Sequence, residues 1–327
     1  MSGVSVVVIS KNEGFLTSTL EALEMQCAEI GAECVVVDAS RGSLSHLRDV
    51  HPWVRWHDST APRDRGVTIP HQRNEGVGIA AGHVIAFCDA GGIPAEGWLS
   101  RLTAPIVDGL LSATGGPIRS VRPSAYGTLN EVPSGSRVPS VVTSNFAVSR
   151  ELFDRVGGFD ERYDYGSDTD FGWRVEEAGE KTVSVCDAVM TIDWGDRRRQ
   201  LRRDWRYGQA KVRQWQLRPE RRMTLVVDSP EVLVYPLLLL TAPPAILAAM
   251  ASRRWVLLTP WIQALSILHR RDRRFGRPRD AMLSHLVVSL GICHELLSSR
   301  PSRDAARRRH MLGGRAPAEQ HGPPVEQ

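Results

Sequence analysis

Five short stretches carry residue types and spacings that can do chemistry. Gly166-Ser167-Asp168-Thr169-Asp170 sets two carboxylates two residues apart, ahead of an amphipathic run. A carboxylate held in a cleft at a helix start can act as a general base, and its neighbour can cap the helix. The plainer reading is that both are caps, which explains one of them easily and the pair less easily. His71-Gln72-Arg73-Asn74-Glu75-Gly76 reads as an Arg-Asn pair opening a helix, an arrangement suited to a pyrophosphate. A capped helix followed by a strand and turn explains that stretch equally well. Asp89-Ala90-Gly91-Gly92, Asp38-Ala39-Ser40 and Ser10-Lys11-Asn12-Glu13 each follow an apolar run. A carboxylate such as Asp38 can accept hydrogen bonds from a nucleobase or ribose edge, although an aspartate after a strand is more often a turn former.

The elements that must position these groups alternate. Residues 4–9, 33–37 and 83–87 read as strands of nearly unbroken Val and Ile, and residues 14–30 and 73–81 as helices. Continuous apolar strands belong to a parallel sheet covered on both faces, which gives a doubly wound, mostly parallel α/β fold. Ligands of such sheets bind beyond the carboxyl ends of the strands, and that is where the polar stretches fall. Residues 117–139, rich in Ser, Pro and Gly, read as a loop or lid, and 141–194 as a second compact block.

The chain of 327 residues has a formal net charge of only +4, but its arginines cluster after Asp196. The runs Arg197-Arg198-Arg199, Arg202-Arg203 and Arg270-Arg271-Asp272-Arg273-Arg274 flank chemistry or apolar segments and read as a face for anionic lipid or pyrophosphate. Arg307-Arg308-Arg309 reads as solvated surface. The five cysteines have no zinc or disulfide spacing, and Cys88 and Cys186 read as small buried hydrophobes. No basic n-region precedes the first strand, so the catalytic domain is expected in the cytosol. Residues 232–250 are apolar and close to bilayer-spanning length, but Pro243-Pro244 is expected to break a straight helix. Residues 255–268 and 281–297 are apolar as well. These segments between arginine clusters predict an anionic membrane surface as a partner, at the cytoplasmic face of the cell membrane. A helical extension packed on the catalytic domain is the competing reading.

In order and spacing, these motifs resemble the family 2 glycosyltransferases of the GT-A fold, over roughly residues 4 to 210. The opening Val-Ser-Val-Val-Val-Ile-Ser-Lys-Asn-Glu is similar to that family's first strand and nucleotide loop, and Val35-Val36-Val37-Asp38 to its second strand with the nucleobase-binding aspartate. Arg73-Asn74 through Asp89 resembles the run into the Asp-X-Asp motif, and Ser144-Asn145-Phe146 with Gly157–Glu161 the acceptor-side loop and helix. Gly166–Asp170 resembles the motif whose aspartate is the catalytic base.

The resemblance implies an inverting transferase that moves a sugar from a nucleotide-diphosphate donor, UDP-sugar first, to an acceptor hydroxyl that is part of a glycan or linked to lipid. It assigns the base to Asp168 and the nucleotide-sugar site to Ser10, Asn12, Glu13, Asp38, Arg73, Asn74 and Asp89. It places Asn145, Asp170 and Trp173 on the acceptor side, and Arg203 and Arg206 on the closing helix beside the diphosphate. The implied cofactor is a divalent metal, Mn2+ or Mg2+, at Asp89, and no nucleic acid is implied as partner. Two residues depart from the pattern. Gly91 stands where a second acidic residue is usual, so the Asp-X-Asp is broken, and Ser167 stands where glutamate is usual. Asp193, after a strand-like run, is a candidate for the missing ligand, a turn-forming aspartate being the plainer reading. The broken motif also leaves open a non-catalytic protein that binds a nucleotide or a partner. The expected organisation is a catalytic domain over 1–225, an apolar membrane-associating helical region over 226–300 and a disordered polar tail over 301–327.

Overall fold

A computed structural model describes residues 3–12, 14–60, 66–121, 128–228, 231–258, 261–263 and 278–298. Glu13, the run Arg270–Arg274 and the tail 301–327 lie outside the described residues. The sequence alternation becomes a seven-stranded sheet. Strands β1 (Val4–Ser10), β2 (Glu33–Asp38), β3 (Arg55–Asp58) and β4 (Val84–Asp89) are parallel, and β8 (Phe146–Ser149) joins β4 antiparallel. With β6 (Ala113–Gly115) and β9 (Val183–Ser184) the order is β3-β2-β1-β4-β8-β6-β9. A second sheet, β5-β10-β7, is built from Gly92–Pro94, Met190–Ile192 and Ile118–Ser120. Part of the expected lid is therefore a strand.

The period-2 alternation of the strands feeds two cores, one on each face of the sheet. Val6 and Val8 pack with Leu16, Leu20 and Leu23 of α1 (Leu16–Ile30) and with Trp98, Leu99 and Leu102 of α4 (Trp98–Val107). Val7, Ile9, Val35 and Val37 face Val77 of α3 (Ile69–Ile79), Leu152 and Phe153 of α5 (Arg150–Arg155), and Phe171 and Val175 of α6 (Ser167–Glu177). On this second side Phe87, Phe146, Phe153, Phe159 and Phe171 form a cluster, with Phe159 and Phe171 4.7 Å apart between centroids. Gly76 lets α3 lie close on the sheet, since a Cβ there would come within 2.4 Å of Val7 Cγ1.

Helix α3 begins earlier than its sequence reading. Thr68 caps it, accepting the His71 N–H, and Pro70 sits in the first turn, so Arg73 lies in the second turn rather than at the opening. Residues 46–50 form the short helix α2 (His46–Val50), which with β3 has no counterpart in the sequence reading. Cys27, Cys34 and Cys88 are buried in one core, and burial pushes all three thiols up. Cys186 is only half-buried, because β9 ends at Ser184 and the cysteine falls in the turn beyond.

After the sheet come α7 (Arg197–Leu217), whose Gln214 and Arg206 reach the segment that opens α6, then α8 (Arg222–Asp228), α9 (Glu231–Ser252) and α10 (Pro278–Ser298). Helix α9 continues through Pro243 and Pro244 where a break is expected. Helix α10 returns onto α7 backbone to backbone. A Cβ on Gly208 would meet Val288 O at 2.1 Å, and one on Gly291 would meet Trp205 O at 2.3 Å. Val212, Val288 and Ile292 fill the rest of that contact. Among the described residues no helix is long and apolar enough to cross a membrane.

Candidate active site

The polar stretches meet at the carboxyl edge of the parallel strands. Ser10 and Asp38 are paired in register at the ends of β1 and β2. Asp38 Oδ1 accepts the Ser40 N–H at 2.9 Å, Ser40 Oγ accepts the Asn12 N–H at 2.7 Å, and Asn12 Oδ1 accepts from Ser43 Oγ at 2.8 Å. Asn12 has φ +57°, in the left-handed region that asparagine tolerates. The Asn12 side chain thus organises the loop. Gln72, invisible as a functional residue in the sequence, donates to both Ser10 O and Val37 O at 2.9 and 3.0 Å and fixes the two strand ends. Ser10 Oγ and Asp38 Oδ2 are buried without a hydrogen-bond partner. Buried polar atoms are nearly always satisfied, so two orphans side by side at a cleft mark a place for a ligand's N–H or O–H donors.

Next along the edge, β4 delivers Asp89 and α3 delivers Arg73. The guanidinium donates to Asp89 Oδ1 at 2.8 Å and lies 5.7 Å over the Phe159 ring. Arg73 is 6% exposed and Asp89 39%, so the pair presents its carboxylate to the cleft and its guanidinium to protein. Asp168 opens α6 on the same side. Its side chain keeps some exposure, yet the surrounding protein strips enough water from the carboxyl to hold it above the usual carboxylate range. Asp89 pushes the same way, while Arg73 and the Thr169 N–H, 2.9 Å away, oppose it. Arg73, Asp89 and Asp168 therefore act on one another electrostatically. Tyr207 of α7 joins them. It is 38% exposed, but desolvation pushes its hydroxyl up to about 12, opposed by Arg203 and reinforced by Asp168, Asp204 and Tyr165.

Other residues assigned from the sequence sit differently. The Asn74 amide is fully engaged, donating to Phe159 O and Glu161 Oε1 and accepting the Phe159 N–H at 2.9 Å, so it clamps α3 to the segment before α6. Asn145 is buried, accepting from Trp98 Nε1 at 2.7 Å and donating to Pro117 O and Ala188 O, which ties the two sheets together and uses up its amide. Asp170 is fully buried between Arg174 and Arg218 rather than capping α6, whose N-cap is Gly166 without a side-chain bond. Trp173 is buried, with Arg221 5.9 Å over its ring. Arg203 lies 4.8 Å over Trp194 and donates to its carbonyl at 3.0 Å, and exposed Arg206 bonds the Tyr165 hydroxyl. His71 is gripped at both ring nitrogens, by Glu161 Oε2 at 3.0 Å and Thr60 O at 2.8 Å.

No family model matches the sequence, and no curated protein matches it. Solved structures do. A mannosyltransferase from Pyrobaculum calidifontis, solved with GDP-Man and Mn2+, aligns with TM-score 0.63 at 21% identity over 91% of this chain and 88% of that one. TarS from S. aureus, solved with UDP-GlcNAc, aligns with TM-score 0.51 at 16% identity over 64% of this chain and 65% of that one. The fold is that of the GT-A glycosyltransferases. At this level of identity the likeness fixes the architecture and leaves substrates to the residues.

In this GT-A fold the donor set for a divalent metal is thin. Gly91 offers no side chain, and Asp89 already accepts from Arg73. The register Ile192↔Gly92 puts Asp193 across the strand pair from Gly91, but Asp193 Oδ1 accepts the Gly195 N–H at 2.8 Å and closes its own turn. Among the described residues no three His, Cys, Asp or Glu side chains converge as a metal set. The described residues do not fit a metal held by the protein alone.

Proposed function

We propose that the chain transfers a sugar from a nucleotide-diphosphate donor to an acceptor hydroxyl with inversion at the anomeric carbon. The observation that carries this reading is Asp168, a carboxylate held above its usual range on the cleft side of a GT-A fold, within the field of the Arg73–Asp89 pair. A base of raised pKa is better matched to accepting a proton near neutrality. Asp168 takes the proton of the acceptor hydroxyl as that oxygen bonds to the anomeric carbon. The bond from that carbon to the leaving diphosphate breaks on the opposite face, and the nucleoside diphosphate departs with the electron pair. The charge that develops there is met from α7 by Arg203 and Arg206. Ser10 Oγ and Asp38 Oδ2 receive the donors of the base or ribose, and a single free carboxylate oxygen suits the lone N3–H of uracil.

The acceptor is proposed to be lipid-linked or a glycan at an anionic membrane surface. Exposed Leu237, Ile246, Leu247 and Met250 on α9, with Trp255 and Val256 beyond it, support that reading, as do exposed Arg253 and Arg254 between them. Release of nucleoside diphosphate from a panel of UDP- and GDP-sugars, with the anomeric configuration of the product read by NMR, tests the reaction. Tight UDP or GDP binding without turnover of any donor identifies a non-catalytic binder, and a retained configuration refutes the displacement. Flotation with anionic vesicles tests the surface, and a full chain that stays with the soluble fraction refutes it.

A further inference from the structure

The turn that carries Asp168 is not set by its own helix. The N-cap of α6 is Gly166 at φ +79°, with no side-chain cap bond. Two side-chain bonds reach it from the end of α7, one from Gln214 within the helix and one from Arg218 at its C-cap. Gln214 Nε2 donates to Gly166 O at 3.1 Å, two residues before Asp168, and Arg218 Nε donates to Asp170 Oδ1 at 2.6 Å, two residues after it. Gln214 and Arg218 are one helical turn apart, as are Gly166 and Asp170, so two matched bonds bracket the aspartate. The fit at the first point is close, since a Cβ on Gly166 would meet Gln214 Nε2 at 2.7 Å. At the second, Arg174 Nε holds the other carboxylate oxygen at 2.9 Å, and Tyr163 lies beneath. Gln214 and Asp170 are both buried, so neither bond is diluted by water.

We infer that Asp170 and Gln214 are positioning residues that hold the base-bearing turn of α6 against α7, which makes α7 part of the catalytic unit; this rests on Asp168 being the base. Neither residue touches the cleft where Asp168 acts. The bracket fixes both the rotation and the slide of the turn, because one hydrogen bond allows pivoting and two bonds a turn apart do not. Helix α7 is itself fixed from behind by the Gly208–Gly291 crossing with α10. The aim of the base therefore depends on helices that lie after the sheet.

The test compares Asp170→Asn, Gln214→Leu and their double variant with the wild type in the full chain. Three quantities are read: the UDP dissociation constant by calorimetry, nucleoside diphosphate release from the best donor of the panel, and amide exchange across residues 163–175. For Asp170→Asn, kcat is expected to fall about 100-fold, the loss a misplacement of about 1 Å produces, at unchanged donor KM. UDP affinity stays within about twofold, and exchange quickens in the first turn of α6 but not in β1 or β4. The double variant falls short of the product of the singles, since both act on one turn. If Asp170→Asn does not fold, Arg218→Lys keeps the charge, loses the fork, and shows the same kcat-only loss at smaller size. Unchanged turnover or unchanged exchange overturns the inference, and so does a loss shared equally by UDP affinity and kcat with the sheet deprotected. A wild type that binds UDP but turns over no donor sinks the transferase reading and the catalytic role of the bracket with it, while the exchange data still report whether the clamp exists.

Discussion

Gly208→Ala puts a single methyl where α7 meets α10. The new Cβ lies 2.1 Å from Val288 O, 2.9 Å from Ile292 N and 3.0 Å from Gly291 Cα, all backbone atoms that no rotamer change can move. Restoring an ordinary contact of about 3.2 Å requires α10 to retreat by roughly 1 Å, which in a close-packed interface also loosens Val212, Val288 and Ile292. Overpacking of this kind costs about 1–3 kcal/mol. Alanine returns about 1 kcal/mol through helix propensity, so the net loss is up to about 2 kcal/mol. For a chain of this size that lowers Tm by up to about 5 °C in a calorimetric scan. Gly78→Ala is the control, since Gly78 is exposed in α3 with nothing within 4 Å of the added carbon. It is expected to hold or raise Tm. Equal Tm changes for the two variants would refute the backbone-to-backbone crossing and the reasoning built on it.

Asp168→Asn is expected to separate activity from stability. Turnover falls by about 10²–10⁴-fold if the residue is the base. Because folding raises the carboxyl's pKa, its contribution to stability is present below the unfolded pKa and is lost as pH rises through the folded one. At neutral pH the charge is a burden, and the Asn variant should melt higher by about 1–3 °C; a lower Tm contradicts the desolvated carboxyl. The wild-type rate should fall on the acid side as Asp168 takes up its proton, with an apparent pKa above the ordinary carboxylate range in the pH–rate profile. His71 titrates with the sign of a stabilised cation. Burial pushes it down, but the bond to Glu161, the Thr60 carbonyl and the charges of Glu161 and Glu75 outweigh this and raise it. Its stabilisation is complete below the unfolded pKa of about 6.5 and lost as pH rises through the higher folded value, so the Tm gap between wild type and His71→Gln should narrow from pH 6 to pH 8. Asp38→Asn should weaken UDP binding by about 10- to 100-fold in calorimetry, the worth of a hydrogen bond to a charged group, and unchanged affinity would remove Asp38 from the nucleotide site.

The central sheet was legible because a strand covered on both faces leaves an unbroken apolar run, as 4–9 and 33–37 do. The shorter β3 was not, because Arg55-Trp56-His57-Asp58 is an edge strand with polar side chains and no alternation to read. The start of α3 is hard to read because Arg73-Asn74 mimics a helix opening, while the physical signals, Thr68 as cap and Pro70 behind it, lie one turn earlier. For the site, sequence order brought out the groups that meet at the strand ends, Ser10, Asp38, Arg73, Asp89 and Asp168. It gave no means of separating them from Asn74, Asn145 and Asp170, whose polar side chains are consumed by partners up to 87 residues away. Gln72 and Gln214 escaped notice for the same reason. A glutamine that bonds to backbone carbonyls needs no motif around it, so its role exists only once the chain is folded.

The cysteines equip the chain with a reporter of its own opening. Cys27, Cys34 and Cys88 share one core beneath β1, β2 and β4, and their thiols are held protonated by burial, whereas Cys186 and Cys293 lie nearer the surface. Only a thiolate reached by solvent alkylates at an appreciable rate. A maleimide added to the native chain should therefore label the two outer cysteines early and the three inner ones only when the sheet parts from α1. The lag between the two phases is a clock for core opening, readable by mass alone, at any temperature and in the presence of any candidate donor. A molecule that seats on the carboxyl edge of those same strands would announce itself by slowing the second phase, before its chemistry is known.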